Sequence, residues 1–204
     1  AHAAADEPRL VAGVAQLREH LAHGARDACG LESLRHSAQS TGPRVMFGVE
    51  EARMQRSGRD VEFASNGERV RGYLSVPAGG RGPGVLVIQE GWGLVDHIRD
   101  VCDRLAREGF VALAPDLYRG GTAGDPDRGG RLMMGLGIPR AARDLDGAVG
   151  ALRSDSATSG AKVGAIGFCM GGQLALFAAT RNPAIGAVVD CYGIHPNVKL
   201  ELGG

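Results

Sequence analysis

Cys169 sits within Gly167-Phe168-Cys169-Met170-Gly171-Gly172, between the apolar run Val163 to Ile166 and a second apolar stretch, Gln173 to Thr180. The spacing is that of G-x-S-x-G with cysteine in the serine position, the pattern of a nucleophile held on a strand-to-helix turn. A turn that sharp crowds its own backbone, so Gly167 and Gly171 leave it room. It lifts the nucleophile clear of the sheet and sets it at a helix start, where free N–H groups and the positive dipole end favour a thiolate. The chemistry implied is attack of sulfur on a carbonyl carbon, with the Met170 amide aimed at the oxyanion that forms. The blander reading, a small buried filler, is adopted for Cys102 on its helix stripe, and nothing better is assigned to Cys29 or Cys191. Reading the same glycines as a dinucleotide fingerprint is the weaker alternative. It would put Cys169 at the middle glycine, where a side chain blocks close approach of a pyrophosphate.

A second reactive group is Glu90. It ends the buried run Val85 to Ile88 and precedes Gly91-Trp92-Gly93. If it faces Cys169, it accepts the thiol proton; otherwise it is a solvated loop acid. Trp92 and Tyr118 either line a substrate pocket or pack the loops around it. His97 is explained by its place before a helix. His195, just after Tyr192-Gly193, is a candidate base, and Asp116 in Pro115-Asp116-Leu117-Tyr118 reads as a turn former.

Val61 to Phe63 and Val70 to Val76 alternate like an antiparallel pair turning at Asn66-Gly67. Val85 to Ile88 and Val111 to Ala114 are short unbroken apolar runs, the mark of strands buried on both faces. Between them Ile98, Val101, Cys102, Leu105 and Ala106 form one helical stripe closed by Gly109. Pro139 opens a further helix, with Ala142, Leu145, Val149 and Leu152 inward. Val163 to Ile166 and Gly186 to Val189 are the last strands. The alternation predicts an α/β fold, a mainly parallel sheet flanked by helices. Ligands of such sheets sit at the carboxyl ends of the strands, which singles out Gln89-Glu90-Gly91, Asp116-Leu117-Tyr118, Cys169-Met170 and Cys191-Tyr192. Residues 1–57 read differently, as a partly helical appendage. Leu10, Val11, Val14, Leu17 and Leu21 share a face there, and Gly24 ends the pattern. The main domain is residues 58–204.

The 204 residues carry 23 basic and 23 acidic side chains, so no basic field draws nucleic acid or anionic lipid. No apolar run is long enough to span a membrane. The four cysteines have no CxxC spacing, which argues against a zinc site or a disulfide framework and for a reducing, cytoplasmic setting. No metal or organic cofactor is implied.

Several segments together resemble the dienelactone hydrolase family of α/β hydrolases: GVLVIQEGWGL, HIRDVCDRLAREGFVALAPDLYRG, KVGAIGFCMGGQLAL and AVVDCYG. The resemblance covers about Val61 to Gly193. It implies an α/β-hydrolase fold and hydrolysis of an ester or lactone by a cysteine, aspartate and histidine triad. Cys169 matches the nucleophile, Glu90 the carboxylate that holds the thiol proton before substrate arrives, and the amides of Met170 and Gly91 the oxyanion hole. Gly91 stands where a large side chain is commoner, which would loosen that loop. The family's aspartate and histidine lie beyond the tyrosine-glycine turn, and the sequence stops at Gly204 before either. The expectation is therefore a sheet lacking its last strands and closing helix. It would have an exposed edge open to self-association and impaired turnover. A non-catalytic binding module is the alternative.

Overall fold

The computed structural model describes residues 57–200. The expected N-terminal appendage, its helix through Leu10 to Leu21, and Cys29 lie outside the described residues. A six-stranded mixed sheet runs through the rest in the spatial order β1-β2-β4-β3-β5-β6. β1 (Arg59–Ser65) and β2 (Glu68–Ser75) form the hairpin foreseen at Asn66-Gly67. Both turn residues have positive φ, 47° and 83°, as a two-residue turn matching the strand twist requires. β2 runs antiparallel to β4 (Val111–Pro115). From there β4, β3 (Gly82–Ile88), β5 (Thr158–Phe168) and β6 (Ile185–Cys191) are parallel neighbours. All four carboxyl ends therefore lie on one rim, and that rim carries the residues singled out above.

The helices divide between two faces. α1 (Asp96–Arg107) presents Ile98, Val101 and Leu105 to Val85, Val87, Ala112 and Ile166. α3 (Ile138–Ser154) and α4 (Met170–Arg181) bury Leu145, Val149, Leu152, Leu174 and Ala178 on the opposite face with Leu86, Ile88 and Leu113. Successive residues of β3 thus serve opposite cores, which is why the run reads as unbroken apolar. Each such side chain contributes roughly 1.5–3 kcal/mol by leaving water.

Two elements depart from the sequence expectation. α2 (Pro126–Met134) was not foreseen. Its sequence, PDRGGRLMM, holds two glycines and no apolar stripe, but its start is signalled: Asp125 caps it by accepting from the Arg128 amide at 2.9 Å, and Pro126 opens it. β5 is eleven residues long, because Thr158 to Lys162 extend it toward solvent, where their polar and small side chains hide the strand period. The β6 edge borders no further strand among the described residues, and Val188 and Val189 on it are half-buried.

Candidate active site

The elbow is built by glycine geometry. Cys169 has φ 52°, a left-handed conformation costing about 1–3 kcal/mol in a residue with a Cβ. Three backbone bonds hold it there: its amide donates to the Cys191 carbonyl at 3.0 Å, and its carbonyl accepts from Gly172 at 3.0 Å and Ile194 at 3.2 Å. A Cβ on Gly167 would run into the Gly171 carbonyl. A Cβ on Gly172 would run into the Asp190 carboxylate and come within 2.9 Å of the Gly193 Cα. One on Gly171 would lie 2.5 Å from the Gln89 carbonyl oxygen, and closer still to that of Ile88. Gly171 therefore lets the start of α4 rest directly on the end of β3. This contact brings the Cys169-Met170 turn beside the loop that carries Glu90 and Gly91.

That loop is pinned from the far side. Gly93 has φ 93°, and a Cβ there would sit 2.5 Å from the Gly121 carbonyl oxygen. The Ala123 amide donates to the Trp92 carbonyl at 3.1 Å. Gly129 of α2 lies against Gly91 and the Trp92 ring, so this unforeseen helix is what backs the loop. Beneath it the fully buried Gln89 accepts from the Leu117 amide at 3.3 Å, joining the ends of β3 and β4. The sequence reading placed Gln89 among the residues at a strand's carboxyl end but gave it no role. A Cβ on Gly91 would meet only the Gly129 carbonyl, at 3.8 Å, so the missing side chain leaves the loop with its docking contacts intact.

Glu90 is half-buried and accepts from the Tyr192 hydroxyl at 2.9 Å. In this structure its carboxylate is thus engaged by a phenol. Tyr192, also at positive φ (50°), exposes most of its ring but turns its hydroxyl end into the site. Desolvation there, followed by the Glu90 charge and hydrogen bond, pushes its phenol well up. Tyr118 lies across the site, its hydroxyl 3.2 Å from the Met170 sulfur. Desolvation, then the nearby Cys169, pushes that phenol up as well. Both phenols are within electrostatic reach of a thiolate on Cys169. Trp92 is partly exposed on the same rim. The structure thus gathers Cys169, Met170, Glu90, Gly91, Trp92 and Tyr118 on one end of the sheet, and gives Tyr192 and Gln89, strand-end residues without an assigned role, their bonds to Glu90 and Leu117.

The other candidates have structural tasks. Asp116 accepts from the Tyr118 amide at 3.1 Å and the Gly120 amide at 2.6 Å, a turn former as expected. His195 is buried, and both ring nitrogens are committed: Nδ1 accepts from the Asn197 amide at 3.1 Å, which leaves Nε2 to donate to the Met133 carbonyl at 3.2 Å. It ties the chain after β6 to the end of α2 and offers no free base. The His97 ring stands edge-on to Phe168, with centroids 6.1 Å apart. Cys102 is fully buried, and burial pushes its thiol far up, the filler expected. Two clefts of about 490 and 430 Å³ open elsewhere, one beside Asp60, Arg71 and Arg99, the other beside Phe177 and Arg181, and Cys169 lines neither. Among the described residues no cluster of three or more acids, histidines and cysteines is placed to hold a metal. Among the same residues no helix is long and apolar enough to cross a membrane.

Comparison with known proteins places this rim in context. The model of the dienelactone hydrolase family matches residues 70–202. The protein usf of Aquifex pyrophilus is 42% identical over 151 residues, covering 71% of this chain and 65% of the relative. A relative from Bradyrhizobium described as a probable 2-oxo-3-(5-oxofuran-2-ylidene)propanoate lactonase is 36% identical over 138 residues, covering 66% of this chain and 55% of its own length. Among solved structures, the dienelactone hydrolase-like promiscuous phosphotriesterase P91 from metagenomic libraries superposes with a TM-score of 0.60 at 32% identity, over 67% of this chain and 59% of that one. The chain spans less than two thirds of the length of these relatives.

Proposed function

The chain belongs to the dienelactone hydrolase family and has its α/β-hydrolase fold, and from that premise we propose that it hydrolyses esters or lactones through a Cys169 thiolate. The observation that carries the reading is Cys169 held at φ 52° at the N-cap of α4, with Gly171 seating the helix start on the end of β3. Sulfur attacks the carbonyl carbon, and the carbonyl oxygen takes the negative charge. The Met170 amide, first in α4, and the Gly91 amide receive it; neither donates to another described residue. The C–O bond then breaks and leaves a thioester on Cys169, and the departing oxygen takes the proton that Glu90 received from the thiol. Water attack on the thioester releases the acid and restores the thiol.

Glu90 receives the thiol proton when its carboxylate turns from Tyr192 toward Cys169, and Tyr192 holds it in the waiting position. Trp92 and Tyr118 border the acyl group. No cofactor takes part in any of these steps. The imidazole that would activate water is not among the described residues, since His195 is fully bonded and His97 packs on Phe168. The lactonase name of the Bradyrhizobium relative supports a cyclic ester as one substrate class.

The test is pre-steady-state release of nitrophenol from an activated aryl ester. The reading expects a burst of about one equivalent per chain that Cys169→Ala abolishes, followed by slow release because neither histidine among the described residues is free to activate water. A burst unchanged in Cys169→Ala removes the nucleophile. No burst at all, in protein shown to be folded, favours the binding module.

A further inference from the structure

Arg119 follows Tyr118 in the turn after β4, and the mechanism does not use it. It holds φ 54°, a left-handed conformation that favours glycine, and Gly120 follows at 91°. Among the described residues, the other non-glycine positions with positive φ are Asn66, where the hairpin turn requires it, and Cys169 and Tyr192, both at the site. Such outliers collect where the surroundings fix a residue for function. The surroundings of Arg119 are charged. Its Nη2 donates to both carboxylate oxygens of Asp144, at 2.9 and 3.0 Å, and to Glu68 at 3.1 Å; its Nη1 donates to the Arg69 carbonyl at 3.1 Å. Asp144, on α3, is fully buried and also accepts from the Ser65 hydroxyl at 2.8 Å.

The elements around this ion pair are joined without it: β2 is bonded to β4, and α3 buries Leu145 and Val149 in the core. What the pair adds is the position of the turn after β4. Tyr118, in that turn, spans two loops of the site. Its ring edge lies against Gly93, where a Cβ would stand 3.4 Å from the ring's Cδ2, and its hydroxyl lies 3.2 Å from the Met170 sulfur. We propose that Arg119 and Asp144 are positioning residues that set acyl selectivity. Held by this pair, the Tyr118 ring is a fixed apolar wall, and the site favours an acyl chain long enough to pack on it over an acetyl group. The inference rests on the reading of Cys169 as the nucleophile and of Tyr118 as a border of the acyl group. Neither Arg119 nor Asp144 touches substrate.

The test compares burst kinetics with 4-nitrophenyl acetate and 4-nitrophenyl hexanoate over a range of ester concentrations. The wild-type chain is expected to half-saturate at a lower concentration of hexanoate. Arg119→Met is expected to raise the half-saturating hexanoate concentration roughly 10-fold, with the limiting burst rate and the acetate reaction changed by less than about 2-fold. Asp144→Asn, which keeps an acceptor for Ser65 and removes only the charge, carries the same comparison if Arg119→Met does not fold. In a Tyr118→Ala background neither substitution should change the preference further, because both act through that ring. A folded variant that keeps the wild-type preference overturns the inference, as does an equal loss with both esters or the same loss in the Tyr118→Ala background. In each of those cases Cys169 remains the nucleophile. If the wild-type chain is acylated by neither ester, the nucleophile itself is refuted, and the inference with it.

Discussion

Gly171→Ala is the substitution that most directly separates the elbow from its support. The new Cβ would stand 2.5 Å from the Gln89 carbonyl oxygen, where real Cβ atoms essentially never come within 3.0 Å of a neighbour. The two backbone segments must part by at least about half an ångström, and more at Ile88, where the approach is closer. Neither neighbour can swing aside, since both are backbone at the end of the central strand β3. The parting lies between the two amides assigned to the oxyanion, Met170 on one side and Gly91 on the other. A misplacement of about 1 Å costs on the order of 100-fold in rate, so the burst rate with an activated aryl ester should fall by roughly 10- to 100-fold. Stability should change much less. Overpacking costs about 1–3 kcal/mol, and replacing a helical glycine by alanine returns about 1 kcal/mol. The burst rate by stopped flow and the urea midpoint are read on the same preparation. A folded Gly171→Ala protein with the wild-type burst rate would refute the claim that this contact assembles the oxyanion site. Gly150→Ala in α3 serves as the control, because its Cβ would enter open space away from the site.

Asp103, buried and accepting from Ser75 at 2.6 Å, from Tyr73 at 3.0 and 3.1 Å, and from the Gly58 and Ser57 amides, should matter to stability alone. Burial opposes its charge, but these bonds outweigh that and hold its carboxyl below the usual range. Its contribution is therefore complete above about pH 4 and is lost as pH falls through its lowered value, while Asp103→Asn should cost about 2–3 kcal/mol at pH 7 and flatten that acid limb in urea titrations. Brief iodoacetamide treatment at neutral pH should label Cys169 before Cys191 and leave Cys102 unlabelled until the protein unfolds, as peptide mapping will read. Sedimentation velocity should show concentration-dependent association through the β6 edge, weakened by Val188→Lys.

The sequence made the rim legible because each strand end bears a punctuating residue. Cys169 stands between glycines, Glu90 follows an apolar run, and Pro115-Asp116 stops β4. The hairpin was legible in Asn66-Gly67, whose positive φ values the two-residue turn demands. The helix of residues 126–134 was not, because its support comes from the Asp125 cap and from packing of Gly129 on the Trp92 loop rather than from an apolar stripe. The partner of Glu90 was also hidden. The phenol that bonds it lies 102 positions later in the chain, and Tyr192 reaches it only because the residue after β6 adopts a left-handed conformation. His195 looked like a possible base from its place after a strand. Its commitment to Met133 and Asn197 depends on a tertiary contact with the end of α2 that no local pattern announces.

The account stands or falls on whether a covalent acyl group forms on Cys169. The direct measurement is intact and peptide mass after a brief exposure of the folded chain to an activated aryl acetate, quenched in acid. The account predicts one acetyl group per chain, on peptide 163–181 at Cys169, labile to hydroxylamine as a thioester and absent from Cys169→Ala. An unmodified Cys169, or the acetyl group on another residue while nitrophenol is released, would contradict it.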